Sequence, residues 1–199
     1  MSRDLILQEI RGSKSIAISL PEIDLRQFSA RPNLQDTFFR NVEAVRGKCI
    51  CVCDQKEIPD NIRQLFPDAK EIVSHVGGID IGTMDMKQIS GAQELDKLDL
   101  AIVSGQFGVA ENGAVWISDR NFDHRSIPFI ASHLAIVLNQ EDIVENMHEA
   151  CARMARFDEG YGVFVAGPSK TADIEQSLVI GAQGPMSLTI FVVNRHSES

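Results

Sequence analysis

Apolar residues recur along the chain in two rhythms, and the change from one to the other marks the expected elements. Phe38, Val42 and Val45 stand at helical spacing within 34–46, which predicts a helix there. A shorter helix over 4–11 and a polar, proline-containing passage precede it, so residues 1–47 read as a helical arm over a domain spanning 48–199. Residues 48–54 carry the β-branched Ile50 and Val52 and read as a strand. Ile62, Leu65 and Phe66 then share one side of a helix with Pro59 near its first turn, where a missing N–H does no harm. A short strand over 71–74 completes a strand, helix, strand order.

From 75 to 97 the glycines Gly77, Gly78, Gly82 and Gly91 break any period, which predicts a long irregular connection with one helix near its end. Connections of this kind border binding sites. A buried strand follows at 98–103, and the runs 107–111 and 114–118 flank Asn112-Gly113, a dipeptide suited to the positive φ angles of a tight hairpin. After an apolar run at 133–138, Asn139 is the expected N-cap of a helix bearing Ile143, Val144, Met147, Cys151 and Met154. The last third reads strand 162–166, helix 171–180, strand 188–193. Continuous apolar strands between amphipathic helices predict an α/β fold of three layers, α/β/α, around a mostly parallel Rossmann-like sheet. Ligands of such sheets collect beyond the carboxyl ends of the strands, and the turn after Ala166 is expected there.

Composition narrows the function. At 199 residues and 44% hydrophobic content the chain can bury one sizeable core. A net charge of −9 without a run of Lys and Arg excludes non-specific binding to nucleic acid or to an anionic membrane. No stretch approaches transmembrane length and the first residues lack the apolar block of a signal peptide, so a cytoplasmic protein without membrane insertion is expected. Cys49, Cys51 and Cys53 alternate, which lines their thiols along one strand face and lacks the C-x-x-C spacing of metal and iron–sulfur sites. They and Cys151 read as small buried apolar side chains, and no metal site is expected, since His75 and His124 also lack metal spacing. Trp116 reads as core or as a subunit interface, the second implying a homo-oligomer.

The candidate chemistry concentrates in Gly167-Pro168-Ser169-Lys170-Thr171, between a strand and an expected helix. The first turn of a helix leaves N–H groups unpaired at a positive dipole end, and Lys170 adds a charge, so Lys170 with the N–H groups of Ser169 and Thr171 could hold a small anionic metabolite. Asp173 and Glu175 would satisfy the same dipole themselves, which leaves a plain helix start as the other reading. The segment is neither a P-loop nor a dinucleotide fingerprint. Glu111, before the Asn112-Gly113 turn, is the candidate catalytic carboxylate, with Asp173 the alternative for a proton step and Arg125 placed to reach an anionic substrate. His133 opens an apolar run and reads as a hydrogen-bonded, half-buried histidine. The candidate site is thus the turn after Ala166, the Glu111 hairpin and the loop from Gly77 to Gly82.

Residues 167–175, the following Leu178-Val179-Ile180-Gly181 and Gly184-Pro185, extended back through Ala110-Glu111-Asn112-Gly113, Arg125-Ser126-Ile127-Pro128, His133 and Ile143-Val144, resemble the signature of the lactate-utilisation LUD-domain family (LutC/YkgG type). The family pattern has Arg where Lys170 stands, Thr where Asn112 stands and His where Gln183 stands. The resemblance implies a NagB/RpiA/CoA-transferase-like fold and a part in oxidising L-lactate to pyruvate, with iron–sulfur clusters in partner subunits and no cofactor in this chain. It implies an accessory or small-anion-binding component. Two alternatives stay open: a stand-alone enzyme of CoA-transferase or sugar-phosphate-isomerase type, since the segment around Glu111 is similar to a CoA-transferase motif whose glutamate is the nucleophile, and a non-catalytic assembly subunit.

Overall fold

Among the residues that the computed structural model describes, 2–13, 19, 21, 24, 33–89, 91–157, 160–174 and 177–194, helices come first and strands dominate afterwards. Helices α1 (Arg3–Gly12) and α2 (Leu34–Ala44) precede strand β1 (Lys48–Val52), helix α3 (Ile58–Leu65) and strand β2 (Ile72–Ser74). The long connection that follows forms short 3-10 turns at Met86–Gln88 and Ala92–Leu95, and leads to β3 (Leu100–Ser104), β4 (Phe107–Val109) and β5 (Ala114–Ser118). Next come helix α4 (Ile127–Ile130), β6 (His133–Asn139), β7 (Ile143–Val144) and helix α5 (Met147–Met154). The order ends with β8 (Gly162–Val165), β9 (Lys170–Ile174), β10 (Ser177–Ile180) and β11 (Ser187–Val193).

The centre is a five-stranded sheet in the order β1-β11-β6-β3-β2, in which every neighbouring pair is parallel. Side chains alternate between its faces. Leu134, Ile136 and Leu138 with Leu188, Ile190 and Val192 face one cluster, which also takes Phe38 and Val42 of α2, Ile127 of α4, and Val115 and Ile117 of β5. Ala135, Val137, Leu100, Ile102 and Phe191 face the other, with Ile58 and Ile62 of α3. Burial on both faces explains why these strands read as unbroken apolar runs. Fully burying one such side chain contributes about 1.5–3 kcal/mol. Phe38 and Val42, both 0% exposed, therefore fasten α2 firmly, whereas α1 buries no residue. The parallel sheet and its flanking helices give the expected α/β fold. One covering layer is partly sheet, because β7, β4, β5 and β8 form a second, four-stranded sheet beside α2 and α4. No helix among the described residues is long and apolar enough to cross a membrane.

Four expectations need correction. The segment after Lys170 is not a helix: β9 and β10 pair antiparallel, Lys170 opposite Ile180 and Thr171 opposite Val179. The β-branched Thr171, Ile174, Val179 and Ile180 favour that pairing, and Gly181 at φ 78° ends it. Asn139 ends β6 and leads only into a 3-10 turn, Gln140–Asp142, to which its side chain gives no cap hydrogen bond. Ile143 and Val144 pair with Gly108 and Val109 of β4, and the cap of α5 is Asn146, whose side chain accepts from Glu149 N. The Glu111 turn is a four-residue loop rather than a two-residue one, since the last rung is Val109–Ala114. Of its residues Gly113 alone has positive φ, 70°. Lastly, Cys51, Cys53 and Cys151 are exposed and Cys49 is half-buried, because β1 is an edge strand and Cys151 lies on the outer side of α5.

Candidate functional site

The C-terminal end of α2 organises the site. Gly47 N–H donates to the Val42 carbonyl and Arg46 N–H to that of Glu43, both at 2.8 Å, the pattern of a Schellman C-cap. The left-handed residue that this cap requires is usually glycine, yet here it is Arg46, at φ 68°. The free carbonyl of Val45 accepts from Lys170 Nζ at 2.8 Å. Between them runs Gly167, at φ 74°; a β-carbon there would lie 2.2 Å from the Val45 oxygen and 2.7 Å from Lys170 Nζ, so only glycine fits. Burial, and then the neighbouring Arg46 guanidinium, holds the Lys170 pKa below the usual lysine value. Neither cation has a carboxylate partner among the described residues.

The turn 167–169 is tied to the loop before β11: Ser169 N–H donates to the Pro185 carbonyl at 2.8 Å, and Gly181 N–H to the Ser169 carbonyl at 3.0 Å. Ser169 N–H is therefore spent, and without a helix the turn has no dipole end to offer an anion. Phe129, Phe164, Pro168, Ser169, Gln183 and Pro185 help to line a cavity of about 220 Å³ beside it. The turn lies at the amino ends of the parallel strands, not beyond their carboxyl ends as expected. Met186 N–H bonds the Ser132 carbonyl just ahead of β11 and β6, and β8, which feeds the turn, belongs to the second sheet and runs antiparallel to β5.

Glu111 and Lys170 touch the same helix through different groups. Asn41 Nδ2 donates to the Ala110 and Glu111 carbonyls at 2.7 and 2.9 Å, one helical turn before Val45. A β-carbon on Gly113 would meet Val42 N at 2.6 Å. Asn112 Oδ1 accepts from Ala114 N–H at 3.0 Å and shapes the loop. The Glu111 carboxylate turns away and accepts from Met147 N–H at 2.9 Å, at the first turn of α5. Arg125 pairs with Asp119 at 2.7 Å and lies 5.1 Å over the Tyr161 ring, apart from both. Asp173 and Thr171 fall on β9, and the side chain of Asp173 lies outside what the structure describes. The loop holding Gly77 leaves the carboxyl end of β2, where Gln55 Nε2 bonds the Gly77 carbonyl at 2.8 Å, so it does not join the Gly167 turn.

Two features were not found as site elements from sequence. Arg46 reads as the last residue of a helical run, and its strain exists only once the cap has formed. His133 Nδ1 lies 2.7 Å from Ser187 Oγ, because both open adjacent strands in register. Its ring lies 4.9 Å from that of Phe66, tilted by 38°, beside a cavity of about 400 Å³ that Asp99 also lines. Burial holds the His133 pKa low, against a smaller pull from Asp99. Asp99 itself is kept below the usual carboxylate value by the Glu71 and Lys70 N–H groups that it accepts. Among the described residues no group of His, Cys, Asp and Glu converges as a metal site would.

Comparison with known proteins gives these elements a family. Lactate utilization protein C of Oceanobacillus iheyensis is 26% identical over 202 residues, covering 87% of this chain and 85% of that protein. Lactate utilization protein C of Geobacillus thermodenitrificans is 33% identical over 112 residues, which is 52% of this chain and 47% of that one. A crystal structure of a duf162 family protein from Deinococcus radiodurans superposes with a TM-score of 0.59, 17% identity and coverage of 80% of this chain and 96% of that one, a likeness of fold. The sequence profile of the LUD domain matches residues 88–193, more than half of the chain, and by that span this protein belongs to the LUD-domain family.

Proposed function

We propose that this chain takes part in lactate utilisation as an accessory component that holds a small carboxylate, working beside iron–sulfur proteins that carry the electrons. The relatives named lactate utilization protein C support the pathway. The observation that carries the binding role is the pair Arg46 and Lys170: Lys170 Nζ reaches the carbonyl of Val45, the residue before Arg46, at 2.8 Å, and neither cation has a carboxylate partner among the described residues, in a chain of net charge −9; burial first, and then the Arg46 charge, lowers the lysine's pKa. A bound carboxylate would relieve their repulsion. The α2 end opposes an anion with about half a negative charge, which two full positive charges outweigh. Lys170 keeps two N–H donors after serving Val45, and Arg46 offers the planar fork that matches a carboxylate. Glu111, engaged by Met147 N–H, serves the hairpin's position on α5 rather than a nucleophilic step.

Calorimetric titration of L-lactate and pyruvate tests the binding role. Loss of a charge-assisted hydrogen bond corresponds to roughly tenfold or more in affinity, so Lys170→Ala and Arg46→Gly are each expected to weaken binding by at least that factor. Unchanged affinity in both variants overturns the assignment. A tagged chain recovered from cells grown on lactate is expected to bring iron–sulfur proteins with it, and recovery without labile sulfide removes that half of the proposal.

A further inference from the structure

The amino ends of β6 and β11 carry a pair of groups that the anion site does not use. His133 and Ser187 open these parallel strands in register, on the face that also bears Ala135, Val137 and Phe191. Their side chains meet, Ser187 Oγ lying 2.7 Å from His133 Nδ1. Both residues are half-buried and line the cavity of about 400 Å³, together with Leu65, Phe66 and Pro67 at the end of α3 and Asp99 just ahead of β3. That volume falls within the range of small-molecule pockets.

The sheet does not need this pair. Backbone bonds already fix the register at these strand starts: Met186 N–H donates to the Ser132 carbonyl and His133 N–H to the Asp99 carbonyl, both at 2.8 Å. The pair instead has the parts of an activated nucleophile. A serine hydroxyl attacks when a base within hydrogen-bond reach takes its proton, and other groups have to orient that base. Here the Asp99 carbonyl holds the backbone of His133, and the Phe66 ring packs against the imidazole at 4.9 Å. Burial holds the His133 pKa below the usual histidine value, so at neutral pH the ring is free to accept a proton. The Asp99 carboxylate, fixed by the Lys70 and Glu71 N–H groups, attracts the imidazolium that forms. Asp68, in the turn after α3, also lines the cavity, and its N–H has no acceptor among the described residues, which leaves a donor for an oxyanion.

We infer that Ser187 and His133 form a catalytic dyad that hydrolyses an ester of a short apolar acid, the acyl chain lying against Leu65, Phe66 and Pro67. Ser187 Oγ bonds to the ester carbonyl carbon while its proton passes to His133 Nδ1. The carbon–oxygen bond to the alcohol then breaks, and that proton leaves with the alcohol. Water repeats the sequence on the acyl-serine: its oxygen bonds to the carbonyl carbon, its proton passes through His133 to Ser187 Oγ, and the acid is released. The inference does not rest on the anion site, which lies at the end of α2 and involves none of these residues.

An alkyl fluorophosphonate and p-nitrophenyl butyrate probe the intact chain. The fluorophosphonate is expected to label Ser187, as read by peptide mass spectrometry, and the ester to be cleaved with saturation. Ser187→Ala, which removes a single oxygen, is expected to lose the label and to bring cleavage down to the rate without protein. His133→Gln is expected to slow both reactions by about a hundredfold or more, the usual contribution of a general base. Should His133→Gln fail to fold, Ser187→Cys gives a second reading. A thiol beside an imidazole ionises readily, so iodoacetamide at neutral pH is expected to alkylate the new thiol before the exposed Cys51, Cys53 and Cys151. No label on Ser187, cleavage undiminished in Ser187→Ala, labelling as fast in His133→Gln as in the unaltered chain, or a thiol in Ser187→Cys no more reactive than the exposed cysteines overturns the inference.

Discussion

The carboxylate of Glu111 accepts the backbone N–H of Met147 at 2.9 Å, which makes the best catalytic candidate of the sequence a cap on the first turn of α5. A negative charge there also meets the positive end of the helix. Glu111→Ala is expected to lower stability by about 1 kcal/mol, in the usual range for a lost cap, and Glu111→Gln by less. Urea denaturation measures both, and an unchanged midpoint for the alanine variant would free Glu111 for a chemical role.

Arg46 gives a prediction of opposite sign. A non-glycine residue in the left-handed region costs about 1–2 kcal/mol, and the C-cap hydrogen bonds of α2 do not involve its side chain. Arg46→Gly is therefore expected to raise the melting temperature while weakening carboxylate binding. A variant that is both less stable and fully competent to bind would show that the strain has no functional counterpart.

Burial keeps His133 neutral in the folded chain below its ordinary pKa of 6.5. As pH falls through that value the unfolded chain takes up a proton at His133 before the folded one does, so this contribution to stability is full above it and declines below. Asp99, with its lowered pKa, adds a separate loss only under more acidic conditions, as pH falls below 3.8. Denaturant midpoints measured between about pH 7.5 and 5 are expected to fall, and His133→Gln should flatten most of that slope. An equally steep slope in the variant would assign it elsewhere.

Thiol chemistry separates the cysteines of β1. Burial, the neighbouring Cys51 and Glu43 push the Cys49 thiol up to about 12, while Cys51, Cys53 and Cys151 are exposed. Because the thiolate is the reacting species, iodoacetamide at mildly alkaline pH is expected to alkylate those three well before Cys49, as peptide mass spectrometry would show. Comparable labelling of Cys49 would contradict the burial assigned to it.

How far these features were legible depended on whether neighbours along the chain or neighbours in space decided them. The strands β3, β6 and β11 were plain because burial on both faces leaves an unbroken apolar run. The β9–β10 hairpin was missed because Ile174 and Leu178 stand four apart, as on a helix, and only the partner strand breaks the tie. Ile143 and Val144 misled in the same way, since a strand of two residues carries no period of its own. The exposure of Cys51 follows from β1 lying at the sheet edge, a fact of strand order. In the site, Lys170 and Gly167 were legible as a charge beside a turn, whereas Arg46 matters only through the φ that the α2 cap imposes.

β11 lies between β1 and β6, with Thr189 opposite both Lys48 and Ala135. The ribosome therefore releases β1 long before the strand that pairs with it. Until residues 187–193 emerge, β1 has no neighbour in the central sheet and presents its backbone and its thiols to whatever passes. Such late closure slows folding and favours guardianship by a chaperone during synthesis.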